Sequence, residues 1–320
     1  MIRRFIDGEA VLRAGVVGTG AFGRHHAAKY AQTSGVNLAA IADANPDTRR
    51  SVSERYGAEG CADWHCLAGK VDLVSVCSPA VTHGGIVRAL LEANIHVLVE
   101  KPIATTLEEA DALIRIAKER DLVLTVGHQE RFVFARSGLL EWAKTPREIQ
   151  CWRLGPWTGR GADVCVVLDL MIHDLDLMHR LVPGKAAMVA AQGTAKYDRF
   201  ADDVRSTVAF DNGTMVRLHA SRMAAERRRG MRLVYDDGVV EIDFITREIH
   251  NTTPRPLGSL SFDDPLGASV AGFVAAVRGT APAFVRPEEA RTALETALRI
   301  KQAMQRPVRI PVTEGLAATA

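Results

Sequence analysis

Apolar residues in the first third of the chain fall in short runs separated by stretches of helical periodicity. The runs 11–17, 36–42, 72–77, 96–99 and 122–126 are strand-length and largely continuous, as in strands buried on both faces. Between them, 24–33, 46–56, 84–93 and 107–120 read as helices; Thr106 caps the last, and Glu108 and Glu109 favour its first turn. Alternating strands and helices predict a doubly wound parallel sheet covered on both faces. Beyond residue 127 the pattern changes. A helix is expected over 134–143, a strand over 148–154 and a helix over 166–181. Alternating segments follow at 188–197, 204–210, 215–221, 231–235 and 239–244, with hairpin turns at Asp211-Asn212-Gly213 and Asp236-Asp237-Gly238. Helices at 267–278 and 287–305 complete the pattern. The expected fold class is α/β: the parallel sheet over 1–127, then an α/β domain with an open, mostly antiparallel sheet over 128–320.

Composition narrows this little further. The 320 residues suit about two domains, and 47% hydrophobic content supplies sizeable cores. Forty basic and 38 acidic residues give no general electrostatic case for nucleic acid. The run Arg227-Arg228-Arg229 reads as a solvated strand edge or turn. No apolar run spans a bilayer, and residues 1–10 carry Arg3 and Arg4 without the apolar segment of a secretion signal. Five cysteines (Cys61, Cys66, Cys77, Cys151, Cys165) show no zinc-like spacing, so reduced thiols in a cytoplasmic protein are expected.

The first strand runs into Val16-Val17-Gly18-Thr19-Gly20-Ala21-Phe22-Gly23 and then a helix. That is G-x-G-x-x-G on a strand-to-helix turn. Gly18 permits the turn, Gly20 lets a pyrophosphate approach, and Gly23 lets helix and strand pack closely. The helix N-terminus offers N–H groups to the phosphates. Asp43 ends the second strand, 20 residues after Gly23, where a carboxylate meets the ribose hydroxyls and repels a 2′-phosphate. A Rossmann dinucleotide site follows, with NAD favoured over NADP. Arg49 and Arg50 read as solvated helix residues.

Ligands of such sheets bind at the carboxyl ends of strands. Three segments end there: 77–83 with Ser78, Pro79 and His83; Glu100-Lys101-Pro102; and 127–132 with Arg131. An ammonium at Lys101 would polarise a substrate oxygen beside the nicotinamide, and an ordinary surface lysine fits the position equally. Pro102 admits a cis bond. On a helix over 166–181, Asp169, His173 and Asp176 share a polar face at i, i+4 and i+7. Periodicity alone fits a proton-transfer site, a zinc site and an interface histidine equally.

These pieces, in order along nearly the whole chain, resemble the glucose-fructose oxidoreductase/inositol dehydrogenase (Gfo/Idh/MocA) family. The resemblance rests on Gly18–Gly23, Ser78-Pro79 with His83, Glu100-Lys101-Pro102, Gly127-His128 with Arg131-Phe132, and Asp169 with His173 and Asp176. It implies a Rossmann domain over 1–127 and a substrate-binding and oligomerisation domain over 128–320, paired as dimers or tetramers through the open sheet. It implies NAD(P) chemistry without a metal. The cofactor residues would be Gly18, Gly20, Ala21, Phe22, Gly23, Asp43, Ser78, Pro79, His83, Glu100 and Lys101, and the catalytic residues Lys101, Asp169 and His173.

Many members carry a glycine-rich run before the helical aspartate; here the chain reads Gly161-Ala162-Asp163-Val164-Cys165-Val166-Val167-Leu168-Asp169. Residues 163–177 and 127–132 resemble the branch of UDP-N-acetylglucosamine 3-dehydrogenases. That branch implies oxidation of a sugar nucleotide at C3, with an aminotransferase consuming the keto product. Substrate residues would then be Lys101, Arg131, Arg153, Trp157, Arg160, Asp169 and His173. Arg153 and Arg160 could fork onto a diphosphate and Trp157 could stack on uracil, while plain packing fits Trp152 and Trp157 equally. A free-sugar or inositol dehydrogenase and a silent NAD-binding regulator are the alternatives. Lys101, Asp169 and His173 together argue against silence.

Overall fold

The buried runs of the first 126 residues form one parallel sheet in the structure, a computed structural model that describes residues 5–6, 9–159, 161, 163–197, 199–260, 264–304 and 308–309. After a short pairing of β1 (Phe5–Ile6) with β2 (Glu9–Ala10) come β3 (Leu12–Val17), β4 (Val36–Ala42), β5 (Glu59–Cys61), β6 (Leu73–Val76), β7 (His96–Val99) and β8 (Leu124–Val126). They lie in the order β5-β4-β3-β6-β7-β8. Helices α1 (Gly23–Gln32), α2 (Pro46–Tyr56), α3 (His83–Glu92) and α4 (Leu107–Glu119) make the crossovers. The order reverses between β3 and β6, the topological switch point where such sheets bind ligands. Thr106 caps α4 by accepting from the Glu109 N–H at 3.2 Å.

Three features depart from the sequence reading. Strand β5 is a three-residue Glu-Gly-Cys segment, too short and polar to give a periodic signal. Its Cys61 is disulfide-bonded to Cys66, which corrects the expectation of reduced thiols throughout. The chain between them turns into a 3₁₀ helix, Trp64–Leu67, capped by Asp63, and this brings the two Cα atoms within 6.4 Å. Cys77, Cys151 and Cys165 form no disulfide among the described residues. Third, the helix expected over 134–143 is α5 (Glu130–Ala135) followed by a 3₁₀ turn, Leu139–Glu141; Gly138, at φ 79°, breaks the run.

The domain boundary also moves. One compact unit takes in the chain up to Arg136 together with the stretch ending at Glu295; the other holds Ser137–Leu260 and the residues from Thr296. Packing explains the return. Helix α7 (Pro265–Val277) buries Val270, Phe273 and Val274 in the cluster that holds Ala14, Val16, Ala27, Tyr30, Leu38 and Leu73. A boundary drawn at 127/128 with everything later in the second domain misses this long-range contact.

In the second unit, β9 (Glu148–Leu154), β10 (Ala186–Ala195), β11 (Asp203–Phe210), β12 (Met215–Ser221), β13 (Arg228–Tyr235), β14 (Gly238–Asp243), β15 (Ile249–Asn251) and β16 (Val308–Arg309) form a mixed sheet, ordered β15-β14-β13-β9-β12-β11-β10-β16. The β9–β12 and β10–β16 pairs are parallel and the rest antiparallel. Period-two alternation sorts the side chains: Ile149, Cys151, Val204, Val208, Val216 and Leu218 are buried, while Gln150, Trp152, Arg205, Arg217 and His219 alternate with them on the other face. Helix α6 (Ile172–Leu181) is buried along most of its length, and α8 (Pro287–Ala303) contributes its last residues to this unit. Among the described residues no helix is long and apolar enough to cross a membrane.

If α7 is part of the first unit's core, Phe273→Ala should lower stability by about 3–5 kcal/mol in urea unfolding. A loss under about 1 kcal/mol would mean that α7 merely rests on the surface.

Candidate active site

Two glycines of the turn after β3, Gly18 and Gly23, stand where no side chain fits. A Cβ on Gly18, which sits at φ 79°, would come within 2.7 Å of the Ser78 nitrogen, and one on Gly23 within 1.8 Å of the Gly18 carbonyl oxygen. Gly20 differs: a Cβ there would meet nothing within 4 Å. The space beside it is open, and Ala21 and Phe22 next to it are exposed. Phe22 gives the α1 N-terminus no side-chain cap. A bare backbone edge at a helix N-terminus fits a pyrophosphate.

Asp43 stands at the end of β4, as expected, and is already engaged. Its Oδ2 accepts from Thr19 N (2.6 Å) and Thr19 Oγ1 (2.9 Å), and its Oδ1 from Asn45 N (2.8 Å). A carboxylate has about four acceptor positions, so taking both ribose hydroxyls requires Thr19 Oγ1 to let go. Arg49 corrects the sequence reading. It is half-buried and donates to the Asp43 carbonyl at 2.7 Å, whereas Arg50 is exposed as expected.

Ser78 and His83 are joined. The buried His83 ring has Nε2 2.9 Å from the Ser78 carbonyl and Nδ1 2.7 Å from the Pro102 carbonyl. It ties the loop after β6 to the loop after β7, and burial pushes its pKa down. A neutral ring donates to one carbonyl at a time. Pro79 is exposed beside Ser78, and the Lys101–Pro102 peptide is cis. Lys101 is half-buried and follows Glu100, which is 8% exposed. Glu100 Oε1 accepts from His26 Nε2 (3.0 Å) and Gln129 Nε2 (3.1 Å). Burial raises its pKa, but the His26 hydrogen bond and the charge of the adjacent Lys101 outweigh burial and leave it below the usual carboxylate range.

In the second unit the expected helix is split. Val167–Met171 is a π turn and α6 begins at Ile172. The wider turn changes the angle between Asp169 and the residues after it from the one a regular α-helix would give, and Asp176 parts from the other two. Asp169 and His173 are half-buried, while Asp176 is 1% exposed and belongs to the interior. Such π turns are frequent at functional sites. Asp169 lies against Gly161: a Cβ on Gly161, at φ 69°, would sit 2.3 Å from Asp169 Oδ2.

Two predicted substrate residues are structural instead. Arg153 is 2% exposed and forks onto Asp174 (Nη2–Oδ1 2.8 Å, Nε–Oδ2 3.2 Å), so its guanidinium is not presented to a diphosphate. Arg131 is equally buried and pairs with Glu289 at 2.5 Å. Arg160 lies outside the described residues. Trp157 stacks on Tyr197 (4.7 Å, 12°) and has Arg222 4.9 Å from its ring, which favours the packing reading over uracil stacking. Trp152 is on the opposite sheet face from Arg153, as alternation dictates.

Sequence reasoning missed Asp202 and Arg222, both buried. Asp202 Oδ1 accepts from Arg222 Nε (2.6 Å), and its Oδ2 accepts from the Lys196 and Tyr197 nitrogens (2.6 and 2.7 Å). Arg222 also donates to the Gly161 and Val164 carbonyls. The pair thus shapes the loop that carries Gly161 to Asp169. Its only sequence signal is two charges at the ends of apolar strands.

If Arg153–Asp174 is a buried structural pair, Asp174→Ala should cost about 3–5 kcal/mol, read by urea unfolding. Unchanged stability with weakened sugar-nucleotide binding would return Arg153 to the substrate site.

A family model described as an oxidoreductase family with an NAD-binding Rossmann fold matches residues 12–128, and a Gfo/Idh/MocA C-terminal domain model matches 139–241. The UDP-N-acetylglucosamine 3-dehydrogenase of Acidithiobacillus ferrooxidans is 34% identical over 307 residues, covering 92% of this chain and 97% of its own. Its solved structure superposes with a TM-score of 0.84. Myo-inositol 2-dehydrogenase of Thermotoga maritima is 30% identical, covering 67% of this chain and 69% of its own. The WlbA dehydrogenase of Bordetella pertussis, crystallised with NADH and UDP-GlcNAcA, shares the fold at 17% identity and a TM-score of 0.78, covering 91% of this chain and 96% of that one. With both domain models matched in order and a relative aligned over nearly its whole length, the chain belongs to the Gfo/Idh/MocA oxidoreductases and carries their NAD-binding Rossmann domain.

Proposed function

We propose that the protein is an NAD-dependent dehydrogenase that oxidises the C3 hydroxyl of UDP-N-acetylglucosamine to the 3-keto sugar nucleotide. The observation that carries the substrate is the 34% identity to a UDP-N-acetylglucosamine 3-dehydrogenase across 92% of the chain. NAD⁺, when bound, supplies the hydride acceptor. Lys101 donates a hydrogen bond to the reacting oxygen and stabilises its developing negative charge. His173 takes the hydroxyl proton as general base. Asp169, held beside Gly161, binds a neighbouring hydroxyl or orients the pair. Gly18, Gly20, Ala21, Phe22 and Gly23 receive the pyrophosphate, Asp43 the adenosine ribose, and the Ser78-Pro79 and Glu100-Lys101 loops joined by His83 the nicotinamide end.

The same reading extends to assembly and place. The polar face of the second sheet forms an open concavity of about 700 Å³ lined by Gln150, Trp152, Arg205, Arg217 and His219. It is the proposed surface for a homodimer or homotetramer. The enzyme is proposed to act in the cytoplasm, with an aminotransferase consuming its keto product.

NADH formation across UDP-N-acetylglucosamine, free hexoses and inositol tests the substrate. Turnover of UDP-N-acetylglucosamine alone or with an aminotransferase and amino donor supports the proposal; activity confined to inositol or a hexose replaces it with the free-sugar reading. Lys101→Ala or His173→Ala should lower kcat by roughly 10²–10⁴ with NAD⁺ binding retained. A His173→Ala enzyme with near-normal kcat refutes that role.

Cofactor choice tests Asp43. NAD⁺ should be preferred over NADP⁺ by about ten- to a hundredfold. Asp43→Ser keeps Arg49 in place and should reverse the preference; an NADP⁺-preferring wild type contradicts the assignment.

A further inference from the structure

Four buried polar side chains form one line beneath the carboxyl ends of β6 and β7. Tyr30 Oη is 2.7 Å from Ser75 Oγ, Ser75 Oγ is 3.0 Å from His26 Nδ1, and His26 Nε2 is 3.0 Å from Glu100 Oε1. Tyr30, Ser75 and His26 are 0% exposed. The proposed chemistry uses none of these three. Polar groups buried this deeply cost stability unless each is satisfied, so the line calls for a physical reason.

The chemistry at each end fixes its direction. Glu100 is a carboxylate and only accepts, so the proton must be on His26 Nε2. Gln129 donates to the same oxygen. At the far end, Ser75 is the hydrogen-bond partner of the Tyr30 hydroxyl among the described residues. The phenol therefore donates to Ser75, and Ser75 donates to His26 Nδ1. A protonated His26 would donate to Ser75 as well, leaving one of the two hydroxyl protons, of Ser75 or of Tyr30, buried without an acceptor among the described residues. The imidazole is thus neutral, donating on one side and accepting on the other. Around Glu100, the Cys77 thiol is pushed up by burial and by the carboxylate itself, and His83 is pushed down by burial. Glu100 keeps an uncancelled negative charge directly before Lys101.

We infer that Tyr30, Ser75 and His26 form a positioning relay for Lys101: the line fixes the Glu100 carboxylate, and that fixed charge orients the Lys101 ammonium toward the reacting oxygen. His26 and Tyr30 belong to α1, the helix whose N-terminus receives the cofactor phosphates, so the relay joins the cofactor site to the catalytic lysine. His26 is a positioning residue acting through Glu100. The inference rests on the dehydrogenase reading of Lys101.

Two measurements test it. In ¹⁵N-histidine NMR near neutral pH, with His26 assigned from the His26→Gln spectrum, the ring should be a single neutral tautomer protonated on Nε2. A Nδ1–H tautomer or an imidazolium overturns the relay whatever the substrate proves to be. In steady-state kinetics, His26→Gln supplies the same neutral donor and acceptor and should keep kcat within about threefold of wild type. His26→Leu supplies neither and should lower kcat about 10- to 100-fold, with NAD⁺ binding and substrate KM shifted by less than about threefold. Should His26→Leu fail to fold, Ser75→Ala, which removes the donor to Nδ1, should lower kcat about three- to tenfold. Wild-type kcat in His26→Leu, or in Ser75→Ala where that variant stands in, overturns the inference, as does equal impairment of His26→Gln and His26→Leu. A wild type that oxidises none of the sugars removes the functional reading, and the NMR result still decides the relay.

Discussion

The closeness of α1 to the sheet is the constraint on which the rest of the site depends. Gly23 passes so near the Gly18 carbonyl that no side chain fits, and Gly18 is equally crowded by the chain at Cys77 and Ser78. Only this approach brings His26 and Tyr30 of α1 within hydrogen-bonding distance of Ser75 and Glu100. The same glycines proposed to meet a pyrophosphate therefore also seat a buried polar line against Glu100, directly before Lys101. Helix α7 packs onto α1 from a distant part of the chain and completes the core that holds it.

The parts of the fold legible from sequence are those set by local pattern. Continuous apolar runs gave β4 and β7 to the residue, alternation gave β9 and β12, and the Thr106 cap placed the start of α4. What could not be read depends on partners far along the chain. Nothing local marks residues 264–295 as part of the nucleotide-binding unit. Nothing in the composition of 166–181 announces a π turn, which arises inside an otherwise regular helical pattern.

The site divides in the same way. Motif residues such as Gly18, Asp43 and Lys101 lie just past strand ends because the fold type dictates it, and His83 opens α3. The arginines were harder. Arg153 and Arg131 carry the chemistry of phosphate ligands, yet their carboxylate partners lie 21 and 158 residues away. Buried guanidinium groups need such partners, and a sequence shows the charge without showing the pair. Arg222 and Asp202 are the converse case: unremarkable strand-end charges that together shape the loop leading to Asp169.

The central claim is that hydride leaves C3 of a UDP-linked N-acetylglucosamine for the nicotinamide of NAD⁺. The most direct measurement uses UDP-N-acetylglucosamine deuterated at C3 and follows the label by mass spectrometry. Hydride transfer from C3 should give singly deuterated NADH together with a keto sugar nucleotide that has lost the label. Unlabelled NADH, or a nucleotide product that retains deuterium at C3, would contradict it.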